Sequence, residues 1–501
     1  LQAPNDILKE TQYLFINMTK FIHKRLSLLL LLLSLFIAGF VVSSCEDNGF
    51  SNEPIDLNDD PIINTGSNLP QLAVTLQGEQ IVDEPKVPAL LKVYEKGEIT
   101  YDGHIGIEYR GATSQALLPK KSFGVVTWDA AGDDIDAELL GFPEEEDWIF
   151  YGPYSDKTLI RNAFVYTLAR NLGHYASRTR FAELYLDEDY RGVYVFMEKI
   201  KDDDNRLDLS GLDPDENSPE EITGGYILKI DKTSGDPVPT DATYTEDLGF
   251  RSQYSVSGDE LTYPPYSDKR GEETYFLYED PAWEDISDPQ KEYIQNYIHD
   301  FETALLNNTD GDFNGNYTYT DYIDLDSFVD FFLLNELAHN ADAYRISTFM
   351  YKDRGEKLHM GPVWDFNLSM GNDSQEFRRS PETWIYQFNT YIPNDTWLVP
   401  FWWTRLTEDP LFRNRVKERW QELRAEEWSN GSLQQLIDDL TFPLIEDGAV
   451  DRNFEKWDIF DEQIFGNPSP LPGSNYEEEV AYMSNWLQQR LVWMDAEISG
   501  W

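Results

Sequence analysis

A two-lobed α+β domain, carried behind a flexible linker, is the architecture this 501-residue sequence predicts. Three observations lead to it. Residues 72–128 alternate apolar and polar positions between Gly and Pro breaks, as half-buried strands do. From position 291 onward the apolar residues recur at helical spacing. The stretch 46–70 is acidic and rich in Asn, Pro and Ser, with no apolar period, and so reads as a tether.

The elements follow in order. Met18 opens a basic segment ending in Lys24-Arg25, and 26–42 is an apolar run. Val42-Ser43-Ser44-Cys45 then has the form of a lipobox. That order of parts belongs to a secretory leader rather than to a structural helix. Cys45 is the one cysteine of the chain and sits where lipidation requires it. The expectation is therefore a lipid-anchored protein of the outer membrane or cell surface, with residues 1–17 upstream of its start. After the linker, 71–200 is expected to form the strand-rich small lobe. LAVTLQ, ALLKVYEKG, GHIGIEYRG and KKSFGVVTW are its strands, a helix opens at Asp156 and stops at Gly173, and a hairpin over 181–197 follows. Residues 201–501 are expected to form the large lobe. It would hold a strand at 225–230, an insertion at 231–288 rich in Pro, Gly, Tyr and acid, and helices at 291–307, 325–339, 411–428 and 477–498.

Composition narrows the class of function. With 92 acidic against 40 basic residues the formal charge is −52, the wrong sign for nucleic acid or for an anionic membrane surface reached other than through lipid. A chain whose single cysteine is at the lipobox has no disulfides to hold it, so a packed core must. The 41% of hydrophobic residues can supply one. No Gly-x-Ser-x-Gly elbow, cysteine nucleophile or His-Glu-x-x-His pattern occurs. Glycoside hydrolysis by paired carboxylates has only the abundance of acid in its favour.

The segment 331–372 carries the chemistry. An apolar helix leads to Asp342 in a loop, a short strand covers 348–352, and a second strand is expected to end in Trp364-Asp365-Phe366-Asn367. Two carboxylates are thus delivered at 342 and 365, one after a helix and one after a strand. A phosphoryl-transfer site places a hydroxyl-orienting base and a metal-holding carboxylate in this way. Isolated aspartates in such places more often cap turns, and the surrounding motifs tip the balance.

Those motifs run in order along the chain: Tyr109-Arg110-Gly111-Ala112-Thr113-Ser114 with Pro119-Lys120-Lys121-Ser122-Phe123, Leu139-Leu140-Gly141-Phe142-Pro143, and Asp147-Trp148. Asp156 with Leu159-Ile160-Arg161-Asn162, Tyr190-Arg191-Gly192-Val193-Tyr194 with Glu198-Lys199-Ile200, the 342–365 segment, and Trp486-Leu487-Gln488-Gln489-Arg490 complete the set. Together they resemble the CotH kinase family, in the lipoprotein branch typical of Bacteroidetes, over roughly residues 70 to 497. The resemblance implies a diverged protein-kinase-like fold and ATP-dependent protein phosphorylation with Mg2+ or Mn2+. It implies that Arg110, Gly111 and Ser114 line the phosphates, that Lys121 pairs with them, and that Glu198 lies at a hinge beside the nucleotide. Asp342 becomes the catalytic-loop aspartate and Asp365 the metal ligand, with Ser347 and Asn367 as neutral oxygen donors near it. The family usually carries a second Asp where this chain has Asn367, which weakens the expected metal site. An ordinary salt bridge at Glu198 and a solvated pair at Lys120-Lys121 are the structural alternatives.

One site is independent of the family. Asp310-Gly311-Asp312-Phe313-Asn314-Gly315, with Asp321 at the twelfth place, fits a calcium loop between two helices, although these are also ordinary loop residues. Two functions follow from the sequence. One is a kinase acting on Ser or Thr of a protein substrate whose identity is not encoded, and the other is a non-catalytic kinase-like scaffold or adhesion module.

Overall fold

A computed structural model describes residues 67–233, 244–265, 270–307 and 318–501. The leader, Cys45 and the calcium-loop positions Asp310, Asp312 and Asn314 lie outside the described residues.

Seven strands close into a barrel: β1 (Gln71–Thr75), β2 (Val87–Glu95), β3 (Glu98–Arg110), β4 (Ser122–Trp128), β5 (Asp147–Tyr151), β6 (Thr179–Leu186) and β7 (Asp189–Glu198). The order is β1-β2-β3-β4-β5-β7-β6, and β6 closes it by running parallel to β1. Closure leaves no open edge for unwanted pairing. The two-residue period divides the strands between two cores. Phe123, Val125, Trp148, Phe150, Tyr194 and Phe196 fill the interior, where Trp148 stacks on Phe196 at 4.9 Å. Their neighbours Ile149, Val193, Val195 and Met197 belong to the main core with Ala163, Phe164 and Leu168 of α2 (Arg161–Asn171). Burying each such aromatic side chain contributes about 1.5–3 kcal/mol. Between β3 and β4 lies a short helix, α1 (Thr113–Leu117).

A second, antiparallel sheet has the order β12-β11-β8-β10-β9. Its members are β8 (Tyr226–Ile230), β9 (Gly249–Ser255), β10 (Glu273–Asp280), β11 (Thr348–Lys352) and β12 (Leu358–Met360). Helices α3 (Asp288–Asn307) and α4 (Leu325–Ala338) lie between β10 and β11. All residues of α4 from Ser327 to Ala338 are buried, Asp330 and Glu336 among them in ion pairs with Arg419 and Arg490. The Asp324 carboxylate accepts from Ser327 N at 2.8 Å to start it, and left-handed His339 (φ 49°) ends it. The rest is helical: α5 (Trp402–Glu408), α6 (Pro410–Ala425), α7 (Asn430–Glu446), α8 (Ala449–Lys456) and α9 (Tyr476–Ser499). Fully buried Arg490 of α9 donates to the Glu336 carboxylate (3.0 Å) and to Glu336 O (2.7 Å), joining the tail to α4.

Several expectations need correction. Residues 231–288 are not simply an insertion, because β9 and β10 within them pair side by side and β10 pairs with β8. The helix expected from Asp156 begins at Arg161. The Asp156 carboxylate instead accepts from Thr158 N (3.1 Å) and Arg161 N (2.9 Å), folding 156–160 into a turn. The strand expected to reach Asp365 stops at Met360, since Pro362 has no N–H to continue a ladder. Helices α7 and α8 were not foreseen.

Candidate functional site

The loops that carry Asp342 and Asp365 are bonded together, and the charge of Asp342 is felt at Asp365. Ala341 N donates to Leu368 O at 2.9 Å and Met370 N to Ala338 O at 2.7 Å, which ties the end of α4 to the turn after Asp365. The second loop is gripped from α2. Asn162 Oδ1 accepts from Phe366 N (2.7 Å), Tyr166 Oη accepts from Asp365 N (3.1 Å), and Arg161 Nε donates to Ser369 O (3.0 Å). Buried Asp156 pairs with the Arg161 guanidinium and fixes its direction. These contacts hold Asp365 in the left-handed region (φ 57°), a conformation that costs free energy unless its surroundings impose it. Asp156, Arg161 and Asn162 therefore serve the Asp365 loop.

The electrostatics are those of crowded acid. Desolvation pushes the Asp365 carboxyl up to about 7, helped by the neighbouring charges of Asp342 and Asp231 and opposed by Lys232 and Arg110. Asp373 is pushed up to about 6 by burial, with Arg378 opposing and Asp342 adding to the rise, and one of its oxygens has no hydrogen-bond partner. Asp342 itself is held by Arg345, whose guanidinium donates to its Oδ1 at 2.8 Å and to Ala341 O at 2.9 Å. Asn340 Oδ1 accepts from Asp342 N at 3.3 Å.

Of the expected site residues, the structure brings Asp342, Asp365 and Arg110 together. Arg110, at the end of β3, lies over the Trp364 ring at 5.7 Å, and Trp364 stacks on Tyr166 at 5.9 Å. Gly111 has φ 92°, and a Cβ there would meet Ser114 Oγ at 2.4 Å, so the turn into α1 requires glycine. Ser347 is left-handed (φ 48°), and its backbone hydrogen-bonds the Asp231 carboxylate. The Asn367 amide donates to Ser155 Oγ at 3.4 Å.

Others point elsewhere. Lys121 Nζ donates to the Gln115 carbonyl of α1. Lys120 is buried, donating to Val193 O (2.6 Å) and Asn453 Oδ1 (2.8 Å), and burial holds it well below the usual lysine range. Glu198 is buried in an ion pair with Arg178, and its carboxylate also accepts from Arg178 N at 2.8 Å. Asp321 closes a capping box with Thr318, accepting from Thr318 N at 2.6 Å. Asp231, Lys232 and Asp373 were missed. The available signal was an Asp-Lys pair directly after β8, a strand buried at every position.

Oxygen donors of this kind, buried among like charges, suit a hard divalent cation, which relieves the repulsion that raises Asp365. A tighter acidic triad, Glu145, Glu146 and Asp147, has carboxylate oxygens within 4.8 Å of one another. It is already neutralised by Lys201 (2.6, 2.7 and 3.4 Å) and, at Glu145, by Arg206 (2.8 Å).

Compared with known families, residues 107–494 match the model of the CotH kinase protein family. The chain belongs to that family. A kinase-like function goes with membership, and the matched span contains Asp342, Asp365, Arg110 and Asp231. No curated protein matches the chain.

Proposed function

We propose that this CotH family member is an exported kinase, lipid-anchored through Cys45 at the outer membrane or cell surface, that transfers a phosphoryl group from ATP to a Ser or Thr hydroxyl of a protein. In this reading the barrel with α2 is the small lobe of a two-lobed kinase-like fold, and the second sheet with its helices is the large lobe. The observation that supports the reading is the pair of hydrogen bonds joining the 338–342 and 365–372 loops, which ties together the two segments that carry Asp342 and Asp365.

Asp342, aligned by Arg345 and Asn340, orients the acceptor hydroxyl and takes its proton as the new O–P bond forms and the bond to the departing ADP breaks. Asp365, with Asp231 alongside, holds Mg2+ or Mn2+, which supplies charge neutralisation to the phosphates when bound. Arg110, at the end of β3 in the barrel and over the Trp364 ring, adds a cation whose charge is felt at Asp365. A non-catalytic scaffold is the second reading. It is favoured by Asn367, which adds no charge to the metal site and spends its amide on Ser155.

The test is transfer of labelled phosphate from ATP, with Mg2+ or Mn2+, to the protein itself or to cell-surface proteins. Asp342→Ala should lower turnover by about 10²–10⁴-fold, the usual worth of a positioned base, and leave nucleotide binding intact. A wild type with neither transfer nor a nucleotide-induced thermal shift would decide for the scaffold.

A further inference from the structure

The lysine expected on the phosphates is Lys121, and its ammonium is turned onto a backbone carbonyl of α1. Its neighbour Lys120 is sealed between β7 and α8. Both ammonium groups are thus committed to other oxygens. Asp365, with the charges of Asp342 and Asp231 felt at it, repels a polyanion, so a nucleotide's phosphates need cations from the protein as well as a metal.

We propose that Lys232 is the residue that holds the nucleotide phosphates in this protein, in the role that the sequence pattern suggests for Lys121. The assignment rests on the kinase reading above. Lys232 lies two residues beyond β8, the middle strand of the second sheet, which is itself paired on both sides up to Lys229 and Ile230. Its Nζ lies 3.3 Å from Thr113 Oγ1, within the Arg110–Ser114 turn that would cover the phosphates. The ammonium also lies over the Trp397 ring at 5.5 Å, which supports the side chain while the head group stays at the turn. Its charge is felt at Asp365 along with that of Arg110, a residue at the end of β3 in the barrel. Lys232 and Thr113 thus join the segment after β8 to the turn after β3 of the barrel, and bound phosphates would complete the bridge. A lysine is suited to this place as a compact point charge on a flexible stem.

The experiment measures binding of Mg–ATP and of adenosine, which has no phosphates, to the full protein and to Lys232→Ala, Lys232→Arg and Lys121→Ala. One charge-assisted contact is worth about 10- to 100-fold in affinity. Lys232→Ala should lose that much for ATP and keep adenosine affinity and the unliganded melting temperature. Lys232→Arg should recover part of the loss, and Lys121→Ala should stay within about twofold of wild type. Equal losses for ATP and adenosine in Lys232→Ala would overturn the assignment. So would a large ATP defect confined to Lys121→Ala, or a Lys232→Ala protein that binds ATP normally and fails only in transfer to the acceptor. A wild type that binds adenosine and ATP equally removes the phosphate contact while leaving a nucleoside site. A wild type that binds neither removes the kinase reading and this assignment with it.

Discussion

Replacing Asp365 by Asn should make the metal-free protein more stable and the nucleotide-bound protein unobtainable. The Asp365 carboxyl is raised from 3.8 to about 7 by desolvation and by Asp342 and Asp231. Three pKa units at about 1.4 kcal/mol each set a ceiling near 4 kcal/mol on what ionisation costs the fold, and the water reaching this half-buried group reduces that to about 2 kcal/mol. The sign follows from the direction of the shift. A carboxyl with a raised folded pKa favours the fold fully below its unfolded value, and that contribution is lost as pH rises from about 4 through 7. Asparagine removes the charge, keeps the shape and tolerates the left-handed backbone at φ 57°. Urea unfolding in a chelator at pH 5 and pH 8 gives the comparison. The variant should gain on wild type at pH 8 and lose most of that advantage at pH 5. With Mg2+ and ATP the order should reverse, because only wild type gains a ligand. An Asp365→Asn protein less stable than wild type at pH 8 in chelator, or equally stabilised by Mg–ATP, would refute the picture of crowded carboxylates awaiting a cation.

Two further tests probe the support of the site. Glu302 on α3 is pushed up to about 8 by burial while accepting from Ser252 Oγ (2.7 Å) and Trp402 Nε1 (2.9 Å), so its contribution to stability is lost as pH rises from about 4.5 through 8. Glu302→Gln keeps both partners and should flatten that pH dependence in thermal melts, with a gain of about 2–3 kcal/mol near pH 8. Arg490→Leu strands Glu336 in the core beneath the Asp342 loop and should cost about 3–5 kcal/mol in urea unfolding, with partial recovery on adding Glu336→Gln.

Local pattern and local chemistry were readable in the chain. The alternation in β2 to β4, the helical period of α3, α4, α6 and α9, and the Asp342 and Asp365 positions all express residues acting on near neighbours. The motif around Asp156, Arg161 and Asn162 was visible as a motif, and its purpose was not. Its partners, Phe366 N and Ser369 O, lie about two hundred positions away. The same holds for Arg490, whose role exists only once Glu336 is beside it.

What the sequence determined by itself was therefore the type of element over β2 to β4 and over α3, α4, α6 and α9, the family to which its motifs belong, and the two aspartates that such motifs deliver. The tertiary structure decided which side chains share a cleft. Closure of β6 onto β1 and the pairing of β8 between β10 and β11 are long-range hydrogen-bond choices that no local period encodes. The pairing of β8 brings Asp231 and Lys232 near enough for their charges to be felt at Asp365. These choices also leave Glu198 in an ion pair with Arg178 and Lys121 on the Gln115 carbonyl. A charged side chain is read from the sequence as a chemical type, and its role is set by what burial and pairing put within reach of it.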